Sequence, residues 1–298
     1  MEQLTRNAYG KINLGLDVLG VLPNGYHQVK MIMQTVDLHD EVTVTLVDAT
    51  GITMDVTLEE SSAVLEADEN NLCVKAAKCL LSDANRTDVG VHISLIKRIP
   101  IAAGMAGGST DAAAVFCGLN ELLQLGYSQE ELMKLAVTIG ADVPYCIMGG
   151  TALSEGIGEE LTKLSDAPAW TVLIGKPPID VSTKYVYEHL DMAQNVIHPD
   201  IDGLQQALAD GDLDRSADLM GNVLAQVTEP AYPVITEIKE LMKQEGARVA
   251  MMTGSGPTVF GIFSKEAEAR QAEAVLRASG LCQQVHVTRL TKGEGARE

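Results

Sequence analysis

Alternating apolar and polar residues mark the first third of the chain and predict β-strands there. Residues 5–19, 31–47 and 51–57 follow this period of two, and the second segment contains the β-branched run VTVTLV before a DATG turn. Residues 89–99 alternate in the same way. These four segments are therefore predicted strands.

Helical periodicity appears between and after these strands. The predicted helices cover residues 70–84, 108–124 and 128–140. Asn70 or Asn71 can cap the first of them. Ser128 and Glu131 form a capping-box pattern at the start of the third, and Gly140 is a good C-terminal stop for it.

The second half of the chain has a different rhythm. Predicted strands cover 170–177, 247–253, 258–264 and 282–289, and predicted helices cover 231–245 and 265–279. Residues 182–220 look mostly helical, with breaks at 198–199 and 210–211. Without this helical insertion the order is β-α-β-β-α-β, the ferredoxin-like order. We predict two α+β domains, residues 1–160 and 161–298.

Composition and charge narrow the set of partners. Of 298 residues, 46% are apolar, which is ample for a buried core, and the net charge is −19. Such a field repels phosphate backbones and anionic lipids, so we expect no nucleic-acid partner and no membrane partner. A nucleotide ligand would have to be attracted locally, by backbone N–H groups, a few placed cations and Mg²⁺.

The cysteines and the apolar runs indicate a compartment. Five cysteines without a C-x-x-C pair argue against a disulfide framework or a zinc site and fit a reducing cytosol. The first residues lack a signal pattern, and no apolar run approaches the ~18–20 residues that span a bilayer. We expect a cytoplasmic protein without a metal site of its own, as a monomer or weak homodimer.

A glycine-rich run between a predicted strand and a predicted helix is the first candidate site. It covers residues 100–111, PIAAGMAGGSTD, and its glycines permit positive φ and close approach of the backbone to a ligand. Ser109, Thr110 and the free N–H groups at the helix start can bind phosphate oxygens. The run is not a Walker A loop, because the required lysine is absent. The plain alternative is a strand-to-helix turn capped by Ser109 or Thr110.

Three segments in order resemble the galactokinase, homoserine kinase, mevalonate kinase and phosphomevalonate kinase (GHMP) superfamily: residues 8–16, the glycine-rich run and residues 252–260. The resemblance covers nearly the whole chain. It implies an α+β, two-domain GHMP kinase fold, with an N-terminal domain like ribosomal protein S5 domain 2 and a ferredoxin-like C-terminal domain. It also implies ATP, with Mg²⁺, bound along the glycine-rich run. The positions that match this ATP-binding motif are Pro100, Ile101, Ala102, Ala103, Gly104, Met105, Ala106, Gly107, Gly108, Ser109 and Thr110.

The glycine-rich run departs from the usual superfamily pattern P-x-x-x-G-L-G-S-S. Met105 and Ala106 stand where leucine and glycine are usual, and Thr110 replaces the second serine. The alanines of the run restrict its backbone more than glycines would. The doubled glycine at 107–108 resembles the branch of the superfamily that acts on a diphosphocytidyl substrate.

The resemblance also implies a catalytic pair. Lys11 matches the family's catalytic lysine and Asp142, in the segment GADVP, matches its catalytic aspartate. A nearby carboxylate can take the proton of an acceptor hydroxyl, while an ammonium orients it and stabilises the transferring group. Taken alone, Lys11 is typical of a solvated strand lysine and Asp142 of a helix N-cap.

A turn with rings beside it is the candidate acceptor site. Residues 22–27, LPNGYH, contain an Asn-Gly turn core, for which a hairpin is the plain explanation. Flat rings stack on nucleobases and an imidazole can hydrogen-bond a base edge. The resemblance assigns Tyr26 to stacking on cytosine and His27 to its polar edge. Further matches are Asn13, near the acceptor's diol portion, and Tyr187, with Tyr185 as the alternative second ring.

The third segment contains Gly254-Ser255-Gly256 between two β-rich runs, where an ordinary hairpin turn is the plain explanation. In the family this loop leans over the active site from the C-terminal domain. Its backbone N–H groups can donate to a phosphate or diphosphate. We expect a supporting role for it.

The implied reaction is transfer of the ATP γ-phosphoryl group to the 2-hydroxyl of a diphosphocytidyl methylerythritol, a small-molecule substrate of the non-mevalonate isoprenoid route. Two alternatives stay open. A sister kinase acting on homoserine, mevalonate or a sugar has no need for a stacking ring pair. A nucleotide-binding regulator without catalysis predicts loss of Lys11 or Asp142, and both are present.

Overall fold

The computed structural model of the protein describes residues 2–23, 25–59, 65–193 and 195–293. Its strands are β1 (Gln3–Val21), β2 (His27–Val47), β3 (Gly51–Leu58), β4 (Gly90–Lys97), β5 (Thr151–Glu155), β6 (Glu160–Lys163), β7 (Thr171–Lys176), β8 (Gly221–Asn222), β9 (Val249–Met252), β10 (Val259–Phe263) and β11 (Gln284–Arg289). Its helices are α1 (Leu72–Asp83), α2 (Gly107–Leu122), α3 (Gln129–Ala136), α4 (Val143–Met148), α5 (Thr183–Asp191), α6 (Ile201–Ala209), α7 (Leu213–Leu219), α8 (Ala225–Ala231), α9 (Pro233–Gln244) and α10 (Glu266–Ser279). No helix in the described ranges is long and apolar enough to cross a membrane.

The first sheet is built around the long antiparallel pair of β1 and β2. Its strand order is β3-β4-β2-β1-β8, and β5 pairs with both β2 and β6. One face is covered by α1 and α2, whose buried residues share a core with β4. Because β6 pairs in this sheet, the first sheet extends to Lys163. The domain boundary between residues 160 and 161 stays a prediction.

The second sheet has the order β11-β7-β10-β9, and all its neighbours are antiparallel. With α9 after β7 and α10 after β10, this is the ferredoxin-like arrangement, and the predicted fold class is confirmed. Ile238 of α9 and Leu276 of α10 are buried in the same core as Leu173 of β7. Two helices therefore cover this sheet through their apolar stripes.

Local signals place most helix starts. Asn71, rather than Asn70, caps α1 by accepting from the N–H of Cys73. The capping box of Ser128 and Glu131 is present at α3, although α3 ends at Ala136, before the predicted stop. The short elements α4, β5, β6, β8 and α8 were not predicted, because segments of a few residues carry too little periodicity.

Candidate active site

A continuous groove runs along the molecule through three neighbouring cavities. We name them the loop cavity (about 570 Å³), the central cavity (about 350 Å³) and the outer cavity (about 500 Å³). Gly104, Ala106 and Ser109 line both the loop and central cavities. Thr183 and Tyr187 line both the central and outer cavities. All three cavities thus belong to one groove.

Lys11 enters the central cavity from the middle of β1. Its side chain is 5% exposed, and its Nζ donates to Asn13 Oδ1 at 2.8 Å. The two residues lie on one face because side chains two apart in a strand point the same way, while Ile12 points into the core. The backbone N–H of Lys11 donates to the carbonyl of Met105 at 3.1 Å, which fastens the glycine-rich run to β1.

Asp142 lies at the N-cap position of α4 and lines the same cavity. Its side chain accepts no helix N–H, so it does not act as a cap and its carboxylate is left for the cavity. Burial, and then the charge of Asp142, raise the pKa of Tyr187 to about 12. Among the described side chains, Lys11 and Asp142 face one cavity without forming an ion pair with each other.

The charges of Lys11 and Asp142 both shift the pKa of Cys146. Burial raises the pKa of this thiol most, Asp142 raises it further and Lys11 opposes the rise. Both charged groups therefore lie within electrostatic range of one buried atom. The sequence prediction that folding brings residues 11 and 142 into one site agrees with this placement, while their roles stay a prediction.

The glycine-rich run turns through left-handed conformations. Gly104 has φ 71°, and Ala102 and Ala106 have φ 52° and 58°. Such values cost an alanine roughly 1–2 kcal/mol. Ala106 holds the N-cap position of α2 without a side-chain cap, so the N–H groups at the start of α2 are not satisfied by a cap. N–H groups at a helix start can bind an anion, and these lie beside the loop cavity.

Individual residues of the run have separate tasks. The side chains of Ala103 and Met105 are buried in the core. Thr110 donates its hydroxyl to the carbonyl of Tyr9 at 2.6 Å and its N–H to Ala106. Both Thr110 donors are thus used inside the protein, whereas Ser109 lines two cavities.

The third segment packs against the glycine-rich run. A Cβ on Gly104 would lie 2.6 Å from the carbonyl oxygen of Thr253, and one on Gly254 would lie 3.2 Å from the carbonyl oxygen of Gly104. The two loops therefore approach closely only because glycine stands at these positions. Asn222, which sequence inspection missed, holds the segment by donating to the carbonyls of Met252 and Gly254 at 2.9 and 2.8 Å.

A buried ionic cluster under the glycine-rich run was also missed. Lys97 donates to Asp40 and, at 2.8 Å, to Asp111, and all three side chains are at most 5% exposed. Burial raises the pKa of Asp111 well above its usual range, against the opposing effect of Lys97. Burial opposes the charge on Lys97, but Asp111 and Asp40 raise its pKa overall. Asp40 also accepts from the N–H groups of residues 98 and 99, at 2.5 and 2.8 Å.

This cluster supports both ends of the glycine-rich run. Lys97 ends β4 just before the run, and Asp111, the last residue of the run, lies one turn into α2. A Cβ on Gly107 would lie 3.0 Å from Lys97 Nζ, so the ammonium sits directly beneath the helix start. Lysine and aspartate at 97 and 111 look like surface residues in sequence, because their shared partner Asp40 is far away along the chain.

Rings gather at the outer cavity. Tyr26, His27 and Tyr187 line it, and the His27 and Tyr187 ring centroids are 4.5 Å apart. Tyr185 instead packs on His189, with the ring centroids 3.8 Å apart. Of these two tyrosines, Tyr187 is the one in the lining of the outer cavity. Asn24 of the predicted turn lies outside the described residues. Asn13 lines the central cavity rather than the outer one.

Family models match both halves of the chain. The N-terminal domain of GHMP kinases matches residues 71–150, and the C-terminal domain of GHMP kinases matches residues 204–281. These matches include the glycine-rich run in the first half and the segment at 252–260 in the second.

Relatives and solved structures resemble the chain over nearly its full length. A 4-diphosphocytidyl-2-C-methyl-D-erythritol kinase of Lachnospira eligens is 50% identical over 97% of this chain and 98% of the relative. One of Lachnoclostridium phytofermentans is 48% identical over the same shares. A crystal structure of 4-(cytidine 5'-diphospho)-2C-methyl-D-erythritol kinase superposes with a TM-score of 0.82 at 30% identity, covering 97% of this chain and 100% of that one.

A homoserine kinase structure from Cytophaga hutchinsonii shares the fold, with a TM-score of 0.77 at 19% identity and coverage of 99% of this chain and 96% of the other. The sister kinases therefore differ from this chain in sequence far more than in architecture. By its matched domains and its relatives, the chain belongs to the GHMP kinase family, in the branch of the 4-diphosphocytidyl-2-C-methyl-D-erythritol kinases.

Proposed function

We propose that this enzyme transfers the γ-phosphoryl group of ATP to the 2-hydroxyl of 4-diphosphocytidyl-2-C-methyl-D-erythritol, in the non-mevalonate route to isoprenoid precursors. The observation that carries the proposal is the groove. An anion-binding helix start lies at one end, rings lie at the other, and Lys11 and Asp142 line the cavity between them.

The loop cavity suits a nucleotide with its phosphates toward the central cavity. The uncapped start of α2 supplies N–H donors and the positive end of a helix dipole. Lys97 lies beneath Gly107, where Asp40 and Asp111 pair with its ammonium, so the backbone donors provide most of the attraction. These local groups attract a polyphosphate in spite of the net charge of −19.

The central cavity supports the phosphoryl transfer itself. Asp142 accepts the proton of the 2-hydroxyl as its oxygen attacks the γ-phosphorus, and ADP leaves as the bond to the bridging oxygen breaks. Lys11 stabilises the charge that develops on the transferring group. Asn13 fixes the Lys11 ammonium through their 2.8 Å hydrogen bond.

Mg²⁺ belongs to this proposal as the companion of ATP. No group of three or more His, Cys, Asp or Glu side chains that could hold a metal occurs in the described ranges. A magnesium ion arriving with ATP would keep several water ligands and bind phosphate oxygens, with one or two carboxylates as its protein ligands, as Mg²⁺ commonly does in kinases. It would neutralise phosphate charge during the transfer.

The outer cavity supports the choice of acceptor. Tyr26 and Tyr187 offer ring faces for a nucleobase, and about 500 Å³ is more than homoserine or mevalonate needs. We further propose that the enzyme works in the cytoplasm, where ATP is its donor, as a monomer or weak homodimer. Its negative charge supports the expectation that nucleic acid is no partner.

A panel of acceptors tests the proposal. ADP release is measured with the cytidine compound, homoserine, mevalonate and galactose, each with Mg²⁺ and ATP. We expect turnover with the cytidine compound alone. If mevalonate or homoserine is phosphorylated and the cytidine compound is not, the proposed acceptor is overturned. If no acceptor gives ADP release, the proposed catalysis is overturned.

A further inference from the structure

Asp191 makes a contact across the groove that the phosphoryl transfer itself does not use. It is the last residue of α5, and its two carboxylate oxygens lie 2.9 and 3.1 Å from Nε2 of His27, the first residue of β2. The Asp191 side chain is 40% exposed and that of His27 is 17% exposed. The pair therefore links the first domain to α5 beside the outer cavity.

The position of Asp191 is unfavourable for the helix itself. A carboxylate in the last turn of a helix meets the negative end of the helix dipole. His27 offsets this by offering a donor to both oxygens. The contact is thus better explained by an effect of Asp191 on the protonation of the His27 ring than by stabilisation of α5.

A carboxylate can only accept hydrogen bonds, so Nε2 of His27 must carry a proton. A neutral imidazole has a single N–H, which leaves Nδ1 as an acceptor. No described residue hydrogen-bonds Nδ1, and the ring lines the outer cavity. Nδ1 is the ring nitrogen that is left for a ligand.

We propose that Asp191 is a specificity-determining positioning residue: by holding the proton on Nε2, it makes Nδ1 of His27 an acceptor for the exocyclic amino group of cytosine. Uracil carries a carbonyl at that place, so its oxygen would face a lone pair. The proposal rests on the proposed function, because it concerns the base of the diphosphocytidyl acceptor. It adds the group that sets which base is accepted.

The surroundings of His27 define the conditions of the test. Besides Asp191, the groups beside it are the Tyr187 ring and, in the cavity lining, Lys184 and Glu188, which pair with each other at 3.8 Å. A doubly protonated imidazole donates from both nitrogens, so Nδ1 could no longer accept from cytosine and the two bases would not be distinguished. Assays therefore run at mildly alkaline pH, about 8.5, to disfavour the doubly protonated form.

The decisive variant is Asp191→Asn, whose amide can donate to Nε2 and so permits the proton to move to Nδ1. The ratio of kcat/KM for the diphosphocytidyl substrate over its diphosphouridyl analogue is measured for both proteins. We expect the ratio to fall about tenfold or more, mainly through KM of the cytidine substrate. Asp180→Asn is the matched control, since it removes an exposed carboxylate that pairs with Lys176 rather than with His27, and its ratio should match the wild type.

A spectroscopic readout tests the tautomer directly. Nitrogen-15 NMR of the His27 ring should show Nε2 protonated in the wild type and a shift toward protonated Nδ1 in Asp191→Asn. An unchanged substrate ratio in Asp191→Asn, or Nδ1 protonated in the wild type, would overturn the inference. Failure of the wild type to phosphorylate the cytidine substrate would instead overturn the proposed function, so the two failures are distinguishable.

Discussion

The two ends of the groove are built in opposite ways. The loop cavity is formed around one continuous segment, whose backbone is bent through positive φ at Ala102, Gly104 and Ala106 and is backed by buried ions. The outer cavity is formed by side chains from separate segments, and Tyr26 is 59% exposed there. A substitution at the loop end acts through backbone geometry, whereas one at the outer end acts through a lost contact.

The largest effect is expected between the two ends, at Asp142. Asp142→Asn keeps the size of the side chain but cannot take the acceptor proton, so kcat should fall by about 10²–10⁴-fold with little change in either KM. Coupled ADP release measures the loss. Asp180→Asn, which alters an exposed carboxylate paired with Lys176, serves as the matched control. Turnover like the wild type in Asp142→Asn would remove it as the base.

The next effect concerns the loop end. In Gly104→Ala, the new Cβ would lie 2.6 Å from the Thr253 carbonyl oxygen, at a φ of 71°. The glycine-rich run must shift away from the third segment, and a penalty of about 3 kcal/mol corresponds to about a hundredfold loss of kcat/KM for ATP. Steady-state kinetics with ATP varied at saturating acceptor measures it.

Gly126→Ala separates strain from contact. Gly126 has a φ of 79°, and a Cβ placed there would meet no atom of the described residues within 4 Å, so this position carries the left-handed strain alone. That variant should lose roughly 1 kcal/mol of stability and keep its kcat/KM. Equal kinetic losses in both variants would mean that the close approach of the two loops has no part in ATP use.

A smaller effect is expected at the outer end. Tyr26→Ala removes an exposed ring without leaving a buried cavity, so KM for the acceptor should rise about tenfold, as the loss of about 1–3 kcal/mol of base stacking implies. KM for ATP and the melting temperature should not change. Tyr185→Ala is the control, because that ring packs on His189. If KM for the acceptor rises more in Tyr185→Ala than in Tyr187→Ala, Tyr185 is favoured as the second ring.

Fold features that depend on nearby residues were predictable from the sequence. The β-α-β-β-α-β order follows from periodicity, and the Ser128 capping box follows from residues three apart. The short β5 and β6 carry no comparable pattern. The edge of β2 gives β5 its partner, and β5 in turn gives β6 its partner, which are properties of the folded sheet.

The same division applies to the site. Lys11 and Asp142 were selected through motifs and line one cavity, while their roles stay predictions, and strand periodicity places Asn13 on the same face as Lys11. Lys97 and Asp191 were missed because their hydrogen-bond partners, Asp40 and His27, lie 57 and 164 residues away in sequence. Residue type and spacing cannot report contacts at that separation.

The smallest effect on catalysis is expected at Asp111, behind the loop end, where stability is the better readout. Burial raises the folded pKa of Asp111 above its unfolded value, so its protonated form favours the fold at low pH, and that contribution is lost as pH rises through the folded pKa. Asp111→Asn cannot ionise and should gain stability relative to the wild type with rising pH, by on the order of 1–3 kcal/mol. Urea unfolding across a pH series, with Asp180→Asn as control, measures the difference. Parallel curves for wild type and Asp111→Asn would show that Lys97 holds Asp111 ionised, so that the glycine-rich run rests on a charged cluster rather than a neutralised one.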